Sequence, residues 1–400
     1  MFSKKTNRKA SAQLAQALTL TSTNEDLRAR RAAAESLASL SYDELIPVLV
    51  TLAEQVGESE LEAALSAWLD LQGSLPWVVG LRDAALADPA AKPIAEALLR
   101  LLRVVYAGVF LEVKPLTWLS PAILLERVMQ LEQVHRFEGW ADMKNRLDLD
   151  RRLFVLTHIT EPLMPVAFLE VALTRDLADS VQAILNVESE VVVPNDARFA
   201  IFYSINSVQP GLKGISFGEA LIHAAVEQLT RGFPRLQGFS TLSPIPSLRK
   251  WLRNLKADDL ARYDGRELHR ADLTPESLLA ALEAGRLPDD KDAEAAARAF
   301  LTQAAADYLT GGGVPQAVKD PVAKFHLGNG ARLERINWAG DRSDNGWRQS
   351  FGLMVNYMYD LDDLEGNRRA FRQQGPTAAS REVARLARLA QRRKAENAES

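Results

Sequence analysis

The sequence contains no cysteine among its 400 residues. Disulfides, zinc–thiolate sites and cysteine nucleophiles are therefore excluded. Aromatic residues make up 7% of the chain, the net charge is −4 and no basic stripe is interleaved with aromatics, so nucleic-acid binding is not expected. No two histidines stand at metal-ligand spacing, so a metal centre is not expected. The histidines are His135, His158, His223, His269 and His326.

Long apolar runs are also missing. The most apolar stretch, residues 94–111, is interrupted by Glu96, Arg100 and Arg103, which makes it too short and too charged to cross a bilayer. The first six residues carry Lys4 and Lys5 but no apolar segment follows, so no secretory signal is predicted. We expect a soluble, cytoplasmic protein without membrane partners.

Residues 1–112 are rich in alanine and leucine and poor in β-branched runs. Leu61, Leu65 and Trp68 recur at helical spacing, and Ser41 with Glu44 has the pattern of a capping box. The pattern predicts a helical bundle used for packing or oligomerisation. The alternative for this region is a partner-binding or regulatory surface.

Residues 113–372 show a different sequence pattern, one that predicts a mixed α/β fold. Two strands are predicted at 153–157 and 164–173, joined by a turn at Glu161 and Pro162. A helix is expected at 177–185, a short strand at 190–193 and further helices over 247–310. Residues 373–400 are rich in arginine and are predicted to be a basic helical or disordered tail.

The centre of this second region is residues 198–246. The pattern predicts a strand at 199–205, a glycine turn at 209–214, a helix at 217–229 and a parallel strand at 238–242. A turn with Gly211 and Gly214 ahead of a helix N-terminus is typical of a phosphate or pyrophosphate site. It matches neither a Walker loop nor a dinucleotide fingerprint, and an ordinary strand-to-helix turn is the alternative.

Two polar residues stand out as candidates for chemistry. Ser243 precedes Pro244 at the end of a predicted parallel strand, where α/β proteins place ligands. A serine in a strand-ending turn is the alternative, and no Gly-x-Ser-x-Gly elbow is present, which disfavours an α/β-hydrolase. His326 precedes a Gly-Asn-Gly turn at 328–330, which can direct a side chain into a cleft.

The combination resembles the malonyl-CoA decarboxylase family over residues 115–360. The runs that carry the resemblance are VHRFEGWADMKNRL (134–147), AFLEVALTRDLADSVQAIL (167–185), FAIFYSINSVQPGLKGISFGEALI (199–222), TLSPIPSLRKWL (241–252), FHLGNGARLERINWAGD (325–341) and GLMVNYMY (352–359). The resemblance implies an α+β multidomain protein, in which an all-α helical bundle used in oligomerisation precedes a GNAT-like mixed α/β catalytic domain.

The resemblance also implies site residues. The family's serine–histidine pair falls on Ser243 and His326, and supporting residues fall on Ser204 and Tyr359. One departure is Ser216, which stands where animal members have an acidic residue. The loop that binds CoA and substrate falls on Lys213, Gly214, Ile215, Ser216, Phe217, Gly218 and Glu219.

The implied activity is decarboxylation of malonyl-CoA to acetyl-CoA and CO2, without metal or cofactor, in fatty-acid metabolism. His326 would donate the proton, and Ser243 would orient the malonyl carboxylate or His326. The family also implies a homo-oligomer, a dimer or a homotetramer. Two alternatives remain open: a GNAT-type CoA-dependent acyltransferase and an inert CoA-binding regulator.

Overall fold

The computed structural model describes residues 13, 15–20, 23–263, 265–285, 290–313 and 318–399. Its amino-terminal region is helical, as predicted, and Leu61, Leu65 and Trp68 lie in its core. Ser41 and Glu44 form the predicted capping box at the start of α2. The helices are α1 (Asn24–Leu37), α2 (Tyr42–Ala53), α3 (Glu58–Ser66), α4 (Leu75–Ala87) and α5 (Lys92–Val105).

A second set of helices surrounds a sheet. They are α6 (Ala122–Leu131), α7 (Trp140–Asn145), α8 (Val181–Leu185), α9 (Gly218–Gly232), α10 (Leu248–Arg253), α11 (Ala257–Leu260), α12 (Arg266–Arg270), α13 (Pro275–Glu283), α14 (Lys291–Thr310), α15 (Pro321–Gly328), α16 (Asp344–Ser350), α17 (Leu364–Arg372) and α18 (Arg381–Glu399). None of the helices in the described part of the chain is both long and apolar enough to cross a membrane.

The described residues form one mixed sheet of eight strands. The strands are β1 (Leu111–Leu116), β2 (Arg151–His158), β3 (Glu161–Thr174), β4 (Phe199–Ser207), β5 (Gly238–Thr241), β6 (Ser243–Pro244), β7 (Arg332–Asn337) and β8 (Met354–Tyr359). Their order is β1-β2-β3-β4-β5-β8-β6, with β7 beside β8. β1 to β4 pair antiparallel, whereas β4 and β5 pair parallel because α9 crosses over between them. The predicted architecture, a helical region followed by a mixed α/β region, is confirmed, and the likeness to the GNAT fold stays a prediction.

Two details of the sequence prediction were wrong. A strand, β1, begins at Leu111 inside the region expected to be helical, because Leu111 pairs with His158 at the end of the β2–β3 hairpin. Residues 190–193 form no strand. The backbone N–H of Val192 instead donates to a carboxylate oxygen of Asp150 at 2.9 Å, which holds the segment as a loop.

The sheet opens at one place, and this opening positions the site. Glu170 and Val171 of β3 pair with Ser204 and Phe202 of β4, so Tyr203 is an extra residue in a β-bulge. The parallel pairing of β4 with β5 ends at Phe202. Beyond this point residues of both chain segments line a cleft, because each segment continues without the other as a ladder partner.

The carboxy-terminal helix is part of the folded domain. Val383, Ala387 and Ala390 of α18 are buried in the main core, where α18 packs on α14 and β7. Of the two states predicted for residues 373–400, helix or disorder, residues 381–399 adopt the helix. The helix docks because its apolar residues recur at i, i+4 and i+7 and so share one face.

Candidate active site

The opening between β4 and β5 leads into a cleft of about 560 Å³. The glycine loop before α9 closes one side, and α15 closes the other. Most of the lining side chains are apolar, and none of the described residues that line it is lysine, arginine, aspartate or glutamate. The lining residues are Val134, Phe202, Tyr203, Ile205, Ser207, Gly214, Ile215, Ser216, Phe217, Gly218, Leu242, Ser243, Pro244, Pro321, Val322, Phe325 and His326.

The glycine loop reaches the cleft as the sequence predicted. Gly214 has a φ of +95°, a backbone conformation that residues other than glycine rarely adopt. Gly218, the first residue of α9, lies against the ring of Phe325, and a Cβ there would be 2.6 Å from Phe325 Cζ. Glycine at 218 therefore lets α15 approach the N-terminus of α9, whose unpaired N–H groups favour an anion.

Not every residue of the predicted loop lines the cleft. Residues 214–218 do, whereas Lys213 and Glu219 are outside the lining. Lys213 is exposed to solvent. Glu219 forms an ion pair with Arg368 of α17 at 3.0 Å, which fixes the outer side of α9.

Ser243 and His326 meet in the cleft although 83 residues separate them. The Oγ of Ser243 lies 3.3 Å from Nε2 of His326, and both residues are buried. His326 is held by α15, whose first turn is fixed by Asp320: its carboxylate accepts from the N–H groups of Val322 and Ala323, each at 3.0 Å. The structure thus brings together the two residues that the resemblance singled out.

The other ring nitrogen of His326 contacts Tyr359. Nδ1 lies 2.8 Å from the Tyr359 hydroxyl, and the imidazole stacks on Tyr357 with ring centroids 4.6 Å apart. Burial lowers the pKa of His326 to about 3 and raises the pKa of Tyr359. At neutral pH, His326 is therefore a neutral imidazole and Tyr359 an un-ionised phenol.

Thr241 is a site residue that the sequence reasoning missed. The hydroxyl of Ser243 donates to Thr241 Oγ1 at 2.8 Å, and the backbone N–H of Tyr357 donates to the same oxygen at 3.2 Å. With its own proton directed to Thr241, Ser243 accepts from the Nε2–H of His326, and the phenol of Tyr359 donates to Nδ1. The period of two in a strand places Thr241 and Ser243 on one face, so the sequence did carry a usable signal.

Ser204 lies one layer behind the cleft rather than in its wall. Its hydroxyl donates to Glu132 at 2.8 Å, and the amide of Asn206 donates to the same carboxylate oxygen at 2.6 Å. The other oxygen of Glu132 accepts from the N–H groups of Val134 and His135 at 2.7 and 2.8 Å. Ser204 therefore supports the segment that carries Val134, a lining residue, and does not itself reach the cleft.

A buried ion cluster adjoins this layer. The guanidinium of Arg146 lies between Asp142, at 2.8 Å, and Glu170, at 3.1 Å, and all three are buried. The phenol of Tyr203 donates to Glu170 at 2.8 Å. Burial raises the pKa of Glu170, and Arg146 opposes that rise. Tyr203 consequently presents only its ring to the cleft, because its hydroxyl is taken by Glu170.

A family model described as malonyl-CoA decarboxylase C-terminal domain matches residues 109–398. The chain belongs to the malonyl-CoA decarboxylase family. It is 36% identical over 324 residues to malonyl-CoA decarboxylase, mitochondrial, of Anser anser anser, which covers 78% of this chain and 64% of that protein. It is also 36% identical over 275 residues to the Rattus norvegicus protein of the same name, covering 66% of this chain and 56% of the relative. The chain thus spans less than two thirds of the length of these curated relatives.

Solved structures of malonyl-CoA decarboxylases are similar to nearly the whole chain. The Agrobacterium vitis protein superposes with a TM-score of 0.82 at 31% identity, covering 94% of this chain and 99% of that one. The Rhodopseudomonas palustris protein gives a TM-score of 0.78 at 31% identity, with the same coverage. The similarity therefore extends through the helical region as well as the mixed sheet.

The sequence analysis predicted no metal centre. Among the residues that the structure describes, no group of three or more histidine, aspartate or glutamate side chains is arranged to hold a metal ion. The roles predicted for Ser243, His326, Tyr359 and the loop at 213–219 are unaffected by this finding and stay predictions.

Proposed function

We propose that this protein decarboxylates malonyl-CoA to acetyl-CoA and CO2. The observation that carries the proposal is the hydrogen-bonded series Tyr359–His326–Ser243 at the wall of an apolar cleft, beside a glycine loop suited to CoA phosphates. Family membership supports the same reaction. The homo-oligomeric state, dimer or tetramer, and a cytoplasmic role in fatty-acid metabolism rest on the family resemblance and the sequence alone.

The reaction balances without a further reactant. The bond between the carboxylate carbon and the α-carbon breaks, CO2 leaves, and the electron pair passes to the thioester as an enolate. One proton then adds to the α-carbon, which gives acetyl-CoA. Because the thioester itself accepts the electron pair, the proposal requires no metal, biotin or pyridoxal.

The apolar cleft favours the first step. In malonyl-CoA the negative charge is localised on the carboxylate, whereas in the transition state it spreads towards the thioester oxygen. None of the described lining residues is a lysine or arginine that would stabilise the localised carboxylate. Loss of its water shell therefore destabilises the ground state more than the transition state. The Nε2–H of His326 remains as a neutral donor to stabilise the enolate.

The proton comes from His326. Because the pKa of His326 is low, the imidazole must take up a proton before it can donate one. His326 is neutral at neutral pH, because burial lowers its pKa to about 3. The enolate that forms beside the imidazole favours the charged form and raises that pKa, so His326 takes up a proton from solvent after CO2 has left. Tyr359 then accepts from Nδ1–H instead of donating to Nδ1, and Nε2–H is the donor for the α-carbon. Ser243, 3.3 Å from Nε2, orients His326 or the carboxylate.

The test is turnover of malonyl-CoA by the purified protein with no metal and no acceptor. CO2 and acetyl-CoA should appear in equal amounts. His326→Ala should reduce kcat by at least about a hundredfold, the lower range for loss of a general acid, and Ser243→Ala should also reduce it.

His223→Ala is the matched control, because His223 is exposed on α9 and outside the cleft. Full activity in both His326→Ala and Ser243→Ala would remove these residues from the mechanism. A folded parent that releases free CoA only in the presence of an amine acceptor, and no CO2, would favour the acyltransferase. A folded parent that binds CoA without any turnover would favour the inert regulator.

A further inference from the structure

The glycine loop is backed by the helical region rather than by the sheet alone. Arg82 of α4 is 3% exposed. Its Nε donates to the carbonyl of Ala95 in α5 at 3.0 Å, and its Nη1 donates to the carbonyl of Gly211 in the loop. One buried guanidinium thus joins both helices to a loop that lies 129 residues further along the chain.

Close backbone contact accompanies this hydrogen bond. A Cβ at Gly211 would lie 2.0 Å from the carbonyl oxygen of Val79, so the loop backbone packs directly on α4. Leu212, the next residue, is buried in the core that spans both regions. Only glycine permits this approach at 211.

Helix α5 supports the second half of the loop. A Cβ at Gly214 would lie 3.5 Å from Leu99, and Nη2 of Arg103 donates to the Gly214 carbonyl at 3.3 Å. The edge of Tyr106, directly after α5, meets the ring of Phe217 with centroids 5.9 Å apart. Contacts from α4 and α5 therefore follow the loop along its whole length.

We infer that α4 and α5 hold the CoA phosphate loop in its binding conformation, with Arg82 as the positioning residue. The inference deepens the proposed function and rests on it for the identity of the ligand. It gives the helical region a role in substrate binding in addition to the oligomerisation expected from the sequence.

The physical reason is electrostatic as well as geometric. A carbonyl oxygen that faced the cleft would repel a phosphate, and Arg82 and Arg103 cover the carbonyls of Gly211 and Gly214. The partners that the structure describes for Arg82 are neutral carbonyls, so its positive charge is not cancelled by a carboxylate and adds to the favourable potential at the loop. A loop held this way binds its ligand without first paying the entropy of ordering.

The experiment measures the affinity of the full-length protein for coenzyme A by calorimetry, together with kcat and KM for malonyl-CoA. Arg82→Met should weaken CoA binding and raise KM by about tenfold, since a hydrogen bond from a charged donor to the loop is lost. The value of kcat should stay within about twofold, because Ser243 and His326 are untouched.

Two controls separate positioning from general effects. Arg30→Met removes another buried arginine of the helical region, one that bonds Ala63 and Ser66 away from the loop. Arg100→Gln removes a charge from α5 at a residue that pairs with Glu62 instead. Arg30→Met should lower thermal stability, and Arg100→Gln should remove a positive charge. Neither variant should change the affinity for CoA.

Arg82→Lys keeps the charge but cannot span both carbonyls, so it should weaken CoA binding less than Arg82→Met; it serves as the test variant if Arg82→Met does not fold. A folded Arg82 variant that binds CoA as tightly as the parent would overturn the inference. An equal loss of affinity in Arg30→Met would also overturn it. A parent that binds CoA but does not turn over malonyl-CoA would refute the proposed function and leave the positioning role standing.

Discussion

Strand β4 contributes to two neighbouring regions with contrasting electrostatics. One region is the cleft, whose described lining residues include no charged side chain apart from the titratable His326. The other is the cluster of Asp142, Arg146 and Glu170, with Glu132 close by, in which each charge is paired or hydrogen-bonded. The difference between them reflects the side chains that each region contains.

The difference assigns the two regions different tasks. In the cluster, ionic partners satisfy one another, and the result is a rigid support for the bulge at Tyr203 and the segment at Val134. Under the proposed reaction, the substrate supplies the charge in the cleft, and a permanent ionic partner there would stabilise the ground state more than the transition state. On that proposal, charge in the cluster serves stability, and the absence of fixed charge in the cleft serves chemistry.

The largest expected effect is a loss of folding stability when the ion cluster is disrupted. Arg146→Met leaves Asp142 and Glu170 buried without their cation, which should lower the free energy of unfolding by about 3–5 kcal/mol. Chemical denaturation measures this loss. Arg231→Met, which removes an exposed pair with Glu227, should cost less than about 1 kcal/mol. Equal stabilities for the two variants would contradict a structural role for the cluster.

The next effect is on the pH dependence of stability. The pKa of His326 is about 3 in the folded protein and 6.5 in the unfolded chain. Below pH 6.5 the unfolded state takes up a proton that the folded state does not, so stability falls as pH falls towards 3. Between pH 7 and pH 5 the loss from this group is about 2 kcal/mol.

His326→Gln should lack this part of the slope, which denaturation at pH 7 and pH 5 would reveal. His223→Gln is the control, because His223 is exposed. Identical slopes in the parent and His326→Gln would show that His326 is not desolvated in the folded protein.

A cation introduced into the cleft tests the comparison most directly. Val322 lines the cleft one helical turn before His326 on α15. Val322→Lys should tighten binding of the carboxylate and thus lower KM, while lowering kcat by about tenfold or more, since it stabilises the ground state more than the transition state. Val322→Met adds similar bulk without charge and should change both values much less. A kcat that rises in Val322→Lys would mean that the reaction needs a cation and not an apolar wall.

The smallest expected effect concerns Tyr359. Tyr359→Phe removes the hydroxyl beside Nδ1 of His326, and kcat should fall several-fold, up to about tenfold. The charged imidazole also loses an acceptor, so the pH of half-maximal kcat should move downward. Tyr357→Phe is the matched control, because Tyr357 stacks on His326 but its hydroxyl has no hydrogen-bond partner among the described residues. Equal effects in both variants would indicate that packing rather than the Tyr359 hydroxyl matters.

Local patterns were sufficient for much of the second region. The β2–β3 hairpin, the α9 crossover and β5 all follow from interactions within about forty residues of chain, which hydrophobic period and turn chemistry report directly. The glycine turn also pointed to the correct edge of the sheet. Residue patterns alone left Ser243 and His326 with ordinary structural alternatives, and the family resemblance was what singled them out as a pair.

Only the tertiary structure decided the remaining features, because each depends on residues distant in the sequence. It placed His326 against Ser243, turned Ser204 towards Glu132 and fixed Gly211 to Arg82. It also determined that His326 is neutral, since a pKa depends on burial that no local pattern encodes. The sequence by itself determined most of the strands, helices and turns, because these depend on local patterns. Long-range packing determined which of their side chains line the same cleft and which hydrogen bonds they form there.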